Sequence, residues 1–200
     1  MSPRSQRIAA TAFALGAAVL LPHIVRAQRA DPVGASQRSG LSIGASAGLV
    51  VPTGDVGNWL NSGYDVNVNV GVRSAGSPLG LRLEGMYQEL GYNDASGLSG
   101  ATHRVVAGIA NGTYDLSAGS SGNLYLIGGV GLYGTSDRDS YGSLDNQTYT
   151  NLGVNGGVGY RFPLSGMDAF AEARYHYVTG TNSATGGSET LIPITFGISF

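Results

Sequence analysis

The sequence contains no cysteine and no lysine, and charged residues make up only 12% of its 200 positions. The absence of cysteine excludes disulfides and thiolate-based catalytic or metal sites. An average soluble domain has about 25% charged residues, so this chain is unusually poor in them. It has no basic tract of the kind that binds nucleic acid. After the first 27 residues, no segment is apolar for the ~20 residues that a transmembrane helix needs.

Glycine and tyrosine are abundant. The chain has 33 glycines, and its 11 tyrosines outnumber the 5 phenylalanines and 1 tryptophan together. The length predicts one domain, with room for a short tail. A lipid-facing protein and a secreted β-sandwich can both have this composition, so the strand pattern has to decide between them.

The first residues have the pattern of a secretory signal. Arg4 and Arg7 form a positive region, Ile8–Leu21 is uncharged and mostly apolar, and a small residue at Ala27 suits a signal peptidase. A membrane anchor is the alternative, but the apolar run is shorter than the ~20 residues of a span. We predict a signal peptide over residues 1–27 and export of the remainder.

The exported part divides into a lead-in and one folded unit. Residues 1–27 hold three of the 11 arginines and no acid, which leaves 8 basic and 13 acidic residues and a net charge of −5. Residues 28–40 are polar and lack periodicity, so we expect a flexible N-terminal lead-in. Residues 41–200 are expected to form the folded domain.

Apolar and polar residues alternate with period two through most of that domain, which predicts β-strands. The alternation is clearest over Tyr64–Arg73. In the fourth and fifth strands, small residues occupy both faces, so the sequence leaves their phase open. The predicted strands are residues 41–51, 64–73, 79–89, 103–116, 123–133, 152–162, 171–177 and 191–200.

The connections alternate in length. Long ones cover residues 52–63, 90–102, 134–150 and 178–190, and short ones cover 74–78, 117–122 and 163–168. Transmembrane barrels combine long extracellular loops with short periplasmic turns, and tilted strands of about 10 residues cross a bilayer. We therefore predict an all-β, eight-stranded antiparallel transmembrane β-barrel with its long loops at one end and both termini at the other.

Charged residues on the strands decide which face meets lipid. An arginine on the lipid face near the bilayer midplane costs about 2–4 kcal/mol, so Arg82, Glu84, Glu172 and Arg174 are predicted to point into the lumen. Strands three and seven lie opposite each other in an eight-stranded barrel. We expect Arg82 to face Glu172 and Glu84 to face Arg174, because buried charges need partners. Arg73 and Arg161 are expected nearer the periplasmic rim, where they can stay solvated.

The C-terminus ends on an aromatic residue preceded by alternate apolar positions: Ile194, Phe196, Ile198 and Phe200. This pattern resembles the C-terminal signature of outer-membrane β-barrel proteins. The resemblance implies that these residues form an assembly signal, which the barrel assembly machinery recognises during biogenesis. It also implies that the last strand closes the barrel against the first.

The exported chain as a whole resembles the small outer-membrane barrels of OmpA/OmpX type. Pro52-Thr53-Gly54-Asp55 is similar to a turn common in these proteins, and Phe170–Tyr175 to their penultimate strand. The resemblance implies an integral protein of the outer membrane in a Gram-negative cell envelope, in contact with outer-membrane lipids. It says little about activity, because one fold serves many functions.

Candidate chemistry is sparse. Some small outer-membrane barrels modify lipid A with a histidine and a serine at the outer rim, but neither His103 nor His176 has a serine two residues on. Asp137, Asp139 and Asp145 crowd one loop without completing a calcium-binding pattern. Gly128–Gly131 is no phosphate loop, since neither helix nor lysine accompanies it. We predict no enzyme activity, no cofactor and no metal.

The expected function is a barrel with a filled lumen and a structural or surface-interaction role, in which its extracellular loops meet an unknown ligand. The alternatives are a narrow pore for small solutes or ions, a lipid-modifying enzyme, and a soluble periplasmic barrel. Tyrosines near strand ends are expected to form interfacial girdles: Tyr64, Tyr87, Tyr114, Tyr125, Tyr133, Tyr160, Tyr175 and Tyr177.

Overall fold

A computed structural model describes residues 40–94, 100–119, 122–138, 148–180 and 187–200. The predicted signal peptide and nearly all of the predicted lead-in lie outside these residues. Among the described residues, no helix has the length and apolarity to cross a membrane. The strands are β1 (Gly40–Thr53), β2 (Gly63–Arg73), β3 (Leu79–Gly91), β4 (Thr102–Gly119), β5 (Gly122–Arg138), β6 (Tyr149–Leu164), β7 (Met167–Val178) and β8 (Glu189–Ser199). A short 3₁₀ helix, Gly54–Asn58, follows β1.

The eight strands form one closed antiparallel barrel in sequence order. The closing seam pairs β1 with β8 from Gly44↔Ser199 to Thr53↔Thr190. Below it, the backbones of Ile43 and Phe200 exchange hydrogen bonds of 3.0 and 2.9 Å. The predicted fold class is therefore confirmed, with the last strand closing against the first.

Most strands are longer than predicted. The hairpin of β4 and β5 stays paired from Thr102↔Arg138 to Gly119↔Gly122, although the predicted strands covered only 103–116 and 123–133. Backbone hydrogen bonds continue beyond the region where apolar residues alternate, because a ladder does not depend on apolar side chains. The extra length projects the strands beyond the apolar part of the barrel.

The outer surface of the barrel is apolar and its interior is polar. On the outside, the side chains of Val68, Leu81 and Phe196 are 61%, 66% and 66% exposed. Asn67, Glu84 and Thr195 on the inside are buried. The phase of the fourth strand, which the sequence left open, places Val106, Ala110 and Tyr114 outside and Val105, Ile109 and Asn111 inside.

Two of the predicted girdle tyrosines point the other way. Tyr125 and Tyr133 are fully buried in the lumen. Glycines on β6 make room for both rings, since a Cβ on Gly159 would lie 2.3 Å from Tyr125, and one on Gly153 would lie 2.5 Å from Tyr133. By contrast, five of the others are exposed on the outer surface: Tyr64, Tyr114, Tyr160, Tyr175 and Tyr177.

Candidate functional site: the barrel lumen and its outer mouth

The centre of the lumen holds two opposite pairs of charged side chains. Alternation along β3 turns Arg82 and Glu84 inward, and alternation along β7 does the same for Glu172 and Arg174. Arg82 forms a bidentate ion pair with Glu172, with nitrogen–oxygen distances of 2.6 and 2.8 Å. Arg174 donates a hydrogen bond to Glu84 at the next level. We call these four residues the lumen ion network.

The two pairs are linked to each other. The Arg82 guanidinium lies 3.2 Å from the Glu84 carboxylate, and Nε of Arg174 lies 3.5 Å from that of Glu172. The hydroxyl of Tyr125 donates a further hydrogen bond to Glu172. All four charged residues are at most 9% exposed. An unpaired charge at such a site would be very costly, so the network holds two opposite walls of the barrel together.

A second charged cluster closes the end of the lumen near the short turns. The Arg73 guanidinium lies 2.7 Å from the Asp115 carboxylate, and that of Arg161 lies 3.6 Å from it. Arg161 also lies over the ring of Tyr125, 4.6 Å from its centroid. Both arginines therefore have partners at this rim, which the sequence did not reveal.

Polar side chains, most of them uncharged, occupy the rest of the lumen. Gln88 donates a 2.5 Å hydrogen bond to Asp65, and Asn67 bridges Asp65 and Ser46. The Tyr133 hydroxyl lies 3.0 Å from Nδ1 of His176. Asn155 donates a 2.9 Å hydrogen bond to Asn111. These contacts join strands that are adjacent or separated by one strand, and their side chains occupy the narrow interior of an eight-stranded barrel.

An apolar cluster covers the opposite end of the lumen, at the long loops. We call it the outer closure; its buried members include Val50, Leu60, Met86, Leu90, Val105, Val178 and Leu191. Leu60 comes from the first long loop, which lies across the mouth. Its neighbours hold it there, because Asn61 N donates to Gly91 O at 2.8 Å and Asn93 N donates to Trp59 O at 2.9 Å. The alternating sequence pattern did not predict this closure.

A histidine between two carboxylates ties the loop bases together beside the outer closure. The ring nitrogens of His103 lie 2.6 Å from Asp137 and 3.0 Å from Glu189. Tyr92 donates a 2.9 Å hydrogen bond to the same Asp137. These residues belong to the bases of the second, third and fourth long loops, so one cluster connects three of the four.

The His103 cluster lies beyond the apolar belt of the barrel, since the next outward position on β4 is the charged Arg104. Burial of the ring disfavours its charged form. The hydrogen bonds and charges of Asp137 and Glu189 outweigh that effect and raise the pKa of His103 to about 10. Burial would raise the pKa of Asp137, but the contact with His103 lowers it instead. At neutral pH His103 is therefore protonated and forms an ion pair that links the loop bases.

Neither histidine is arranged for catalysis. The two ring nitrogens of His103 both contact carboxylates, and His176 is fully buried in the lumen beside Tyr133. Both side chains face the interior, whereas a lipid substrate would approach from the outside. No group of three or more potential metal ligands occurs within the described part of the chain. Asp139 and Asp145 lie outside it.

The predicted assembly-signal residues lie along one row of the outer surface. Ile194, Phe196, Ile198 and Phe200 are between 41% and 66% exposed and all point away from the lumen. The row continues the apolar surface across the closing seam, where Phe196 pairs with Ala47 and Ile198 with Ala45 of β1.

Comparison with known proteins identifies the fold. No protein-family model and no curated protein sequence matches the chain. Among solved structures, Neisserial surface protein A is similar with a TM-score of 0.65 and 18% identity, over 80% of this chain and 96% of that one. A major outer membrane protein from Thermus thermophilus is similar with a TM-score of 0.53 and 15% identity, over 80% of this chain and 97% of that one. The chain thus has the fold of the small eight-stranded outer-membrane barrels.

Proposed function

We propose that this chain, which has the fold of small outer-membrane barrels, is an integral protein of the bacterial outer membrane with a filled lumen and a non-enzymatic role. It acts as a structural or surface-interaction protein through its extracellular loops. Export by a cleaved signal peptide would deliver it to the envelope.

The distribution of side chains supports this proposal most strongly. Large apolar residues on all eight strands are exposed on the outside, while Arg82, Glu84, Glu172 and Arg174 pair inside. Soluble proteins rarely expose a contiguous apolar patch beyond a few hundred Å². A soluble periplasmic barrel would have the inverse arrangement. An apolar outer surface of this kind is stable in contact with lipid.

The side chains in the lumen argue against a general porin, through which solutes would diffuse. The Arg73–Asp115 pair lies at one rim, the lumen ion network lies at the centre, and the outer closure covers the mouth. Solute passage would need several of these contacts to break together. A role at the cell surface does not need an open lumen, because the loops lie outside it.

The loop surface carries features that suit a binding partner. Trp59 is 44% exposed at the mouth, although its backbone is held by Asn93. Exposed aromatic side chains on a fixed backbone are common anchors in protein interfaces. The described loop bases are tied to one another through His103, which gives the loops a firm support. The extracellular ligand itself is a matter for binding experiments.

Deletion of Phe200 is expected to abolish most outer-membrane assembly while secretion continues. The reason is that Phe200 fastens the closing seam through its backbone pair with Ile43, and that its exposed ring ends the proposed assembly signal. The measurement is outer-membrane fractionation, together with the gel shift between folded and heated protein. The full-length chain should be in the outer-membrane fraction and shift on heating.

A conservative exchange serves as the control. Phe200→Tyr keeps an aromatic terminus and should assemble like the wild type. Normal assembly without Phe200 would contradict the assembly-signal role, and recovery of the full-length chain in the soluble periplasmic fraction would contradict the outer-membrane location.

A further inference from the structure

A groove of about 480 Å³ runs along the apolar outer surface over β2 to β5. Val70, Leu81 and Leu83 rise on one side of it, and Val130 on the other. Its floor consists of small outward-facing positions on β4 and β5: Ala110, Gly112 and Gly128. Inward-facing positions complete its lining: Arg82, Asn111 and Gly129. The groove opens on the face that we propose to be in lipid.

The barrel itself does not require the glycines of the floor. A Cβ on Gly112 would come no closer than 3.9 Å to any atom, and one on Gly128 no closer than 3.5 Å, which are ordinary contacts. Lumen glycines differ, since a Cβ on Gly129 would lie 2.2 Å from a backbone oxygen of β4. The space in the groove is therefore available to a molecule outside the barrel.

Positive charge lies at the outer ends of the two strands that form the floor. Arg104 on β4 and Arg138 on β5 are the arginines that point outward within the described residues. The Arg104 guanidinium lies 2.9 Å from the carboxylate of Glu89. Arg138 is exposed, and the described residues offer it no ion pair. The matching end of the groove near the short turns has Tyr114 and no outward arginine among those residues.

The distance between these arginines and the groove matches half a bilayer. Ala110 follows Arg104 by six residues, which is about 14 Å along the membrane normal for a strand rising ~3.4 Å per residue at a tilt of ~45°. Half of the apolar band of an outer-membrane barrel is about 12 Å. A lipid with its headgroup beside the arginines would thus have its acyl chain in the groove.

We infer that this groove binds an acyl chain of a phosphate-bearing lipid of the outer leaflet, whose phosphate pairs with Arg138 and Arg104. The inference rests on the proposed outer-membrane location. Guanidinium groups bind phosphate with charge-assisted hydrogen bonds, and the groove provides apolar contact on three sides of a single chain. A flat sheet face would contact the chain on one side only.

Filling the groove tests the inference. Ala110→Leu should lower the retention of phosphatidylglycerol about tenfold, because the new side chain occupies the space of about two methylene groups of the lipid. The measurement is native mass spectrometry of folded protein released from phosphatidylglycerol bilayers into mild detergent. Ala173→Leu is the matched control, since Ala173 is an exposed outward alanine on β7, which pairs with β6 and β8 and with no strand of the groove. It should retain lipid like the wild type.

Two charge variants should shift lipid preference in opposite directions. Arg138→Gln should reduce the preference for phosphatidylglycerol over phosphatidylcholine with the same acyl chains by about threefold, whereas Glu89→Gln frees Arg104 and should increase it. Equal retention by wild type and Ala110→Leu would overturn the inference while leaving the outer-membrane location intact. Failure of the wild type to insert into bilayers would instead contradict the location.

A wild-type measurement covers the case in which Ala110→Leu does not fold. Phosphatidylglycerol with a photoreactive acyl chain should label the outward residues of β3 to β5 several times more than those of β1 and β7. Even labelling around the barrel would overturn the inference. A dimer that Ala110→Leu dissociates would overturn it too, since a second barrel would then be the occupant.

Discussion

Glu172→Ala is expected to lower the free energy of unfolding by about 3–5 kcal/mol, since breaking a buried ion pair leaves a charge without compensation. Glu172 accepts two hydrogen bonds from Arg82 and one from Tyr125, and it is 3% exposed. Without it, the ion pair that remains to Arg82 among the described residues is its 3.2 Å contact with Glu84. Urea unfolding in lipid bilayers, followed by the folded-protein gel shift, measures the loss.

Two variants separate the ion pair from a general effect of substitution. Asp55→Ala removes an exposed loop carboxylate and should change stability by less than about 0.5 kcal/mol. The double variant Arg82→Met with Glu172→Leu removes both charges and should recover most of the loss, because apolar side chains of similar size can replace a buried pair. Equal stability of Glu172→Ala and wild type would show that the lumen ion network does not hold the walls together.

Gly48→Ala is expected to destabilise the barrel by about 3 kcal/mol, the upper part of the range for overpacking. Gly48 faces Thr195 across the seam between β1 and β8. An added Cβ would lie 1.9 Å from the backbone oxygen of Ile194 and 2.7 Å from Cα of Thr195. Neither atom belongs to a flexible side chain, so the strands themselves would have to separate.

The control for Gly48→Ala is Gly108→Ala. A Cβ on Gly108 meets nothing within 4 Å, so this substitution should change stability by less than about 0.5 kcal/mol. Unfolding in urea and refolding rates into bilayers distinguish the two variants. If both behaved like the wild type, the close approach of the two strands at the seam would be refuted.

The sequence was sufficient to predict the number of strands, their order and the orientation of most side chains. Period-two alternation is strong on β2 and β8, where Val or Ile repeats at every second position. It also places Arg82, Glu84, Glu172 and Arg174 on one phase, and the structure brings these four residues together in the lumen. The period-two alternation thus helps to predict a contact between residues that lie 90 positions apart in the sequence.

The outer closure could not be predicted from alternation because its residues interrupt it. Val50 lies between Leu49 and Val51, and Leu191 precedes Ile192, so apolar residues occur on both faces at these strand ends. Consecutive apolar residues at the loop ends of strands were the available signal for an apolar plug. Leu60 reaches it only through the folding of the first loop.

The prediction that Tyr125 and Tyr133 belong to an outer girdle is wrong, since both are buried. It follows from the frequency of tyrosine in interfacial girdles near strand ends. Small residues on both faces of β5 hid the phase of this strand. The orientation follows instead from pairs across strands, in which Gly159 and Gly153 leave the volume that each ring occupies. A single sequence does not reveal such a pairing before the register is known.

Conductance of the refolded wild-type protein in planar bilayers tests the filled lumen most directly. The lumen ion network and the outer closure place paired charges and apolar side chains in the lumen and at its mouth. We therefore predict that the membrane stays at baseline conductance after insertion of the protein, and the gel shift verifies insertion separately. Regular single-channel steps from the inserted wild-type protein would contradict this prediction and would make the chain a narrow pore.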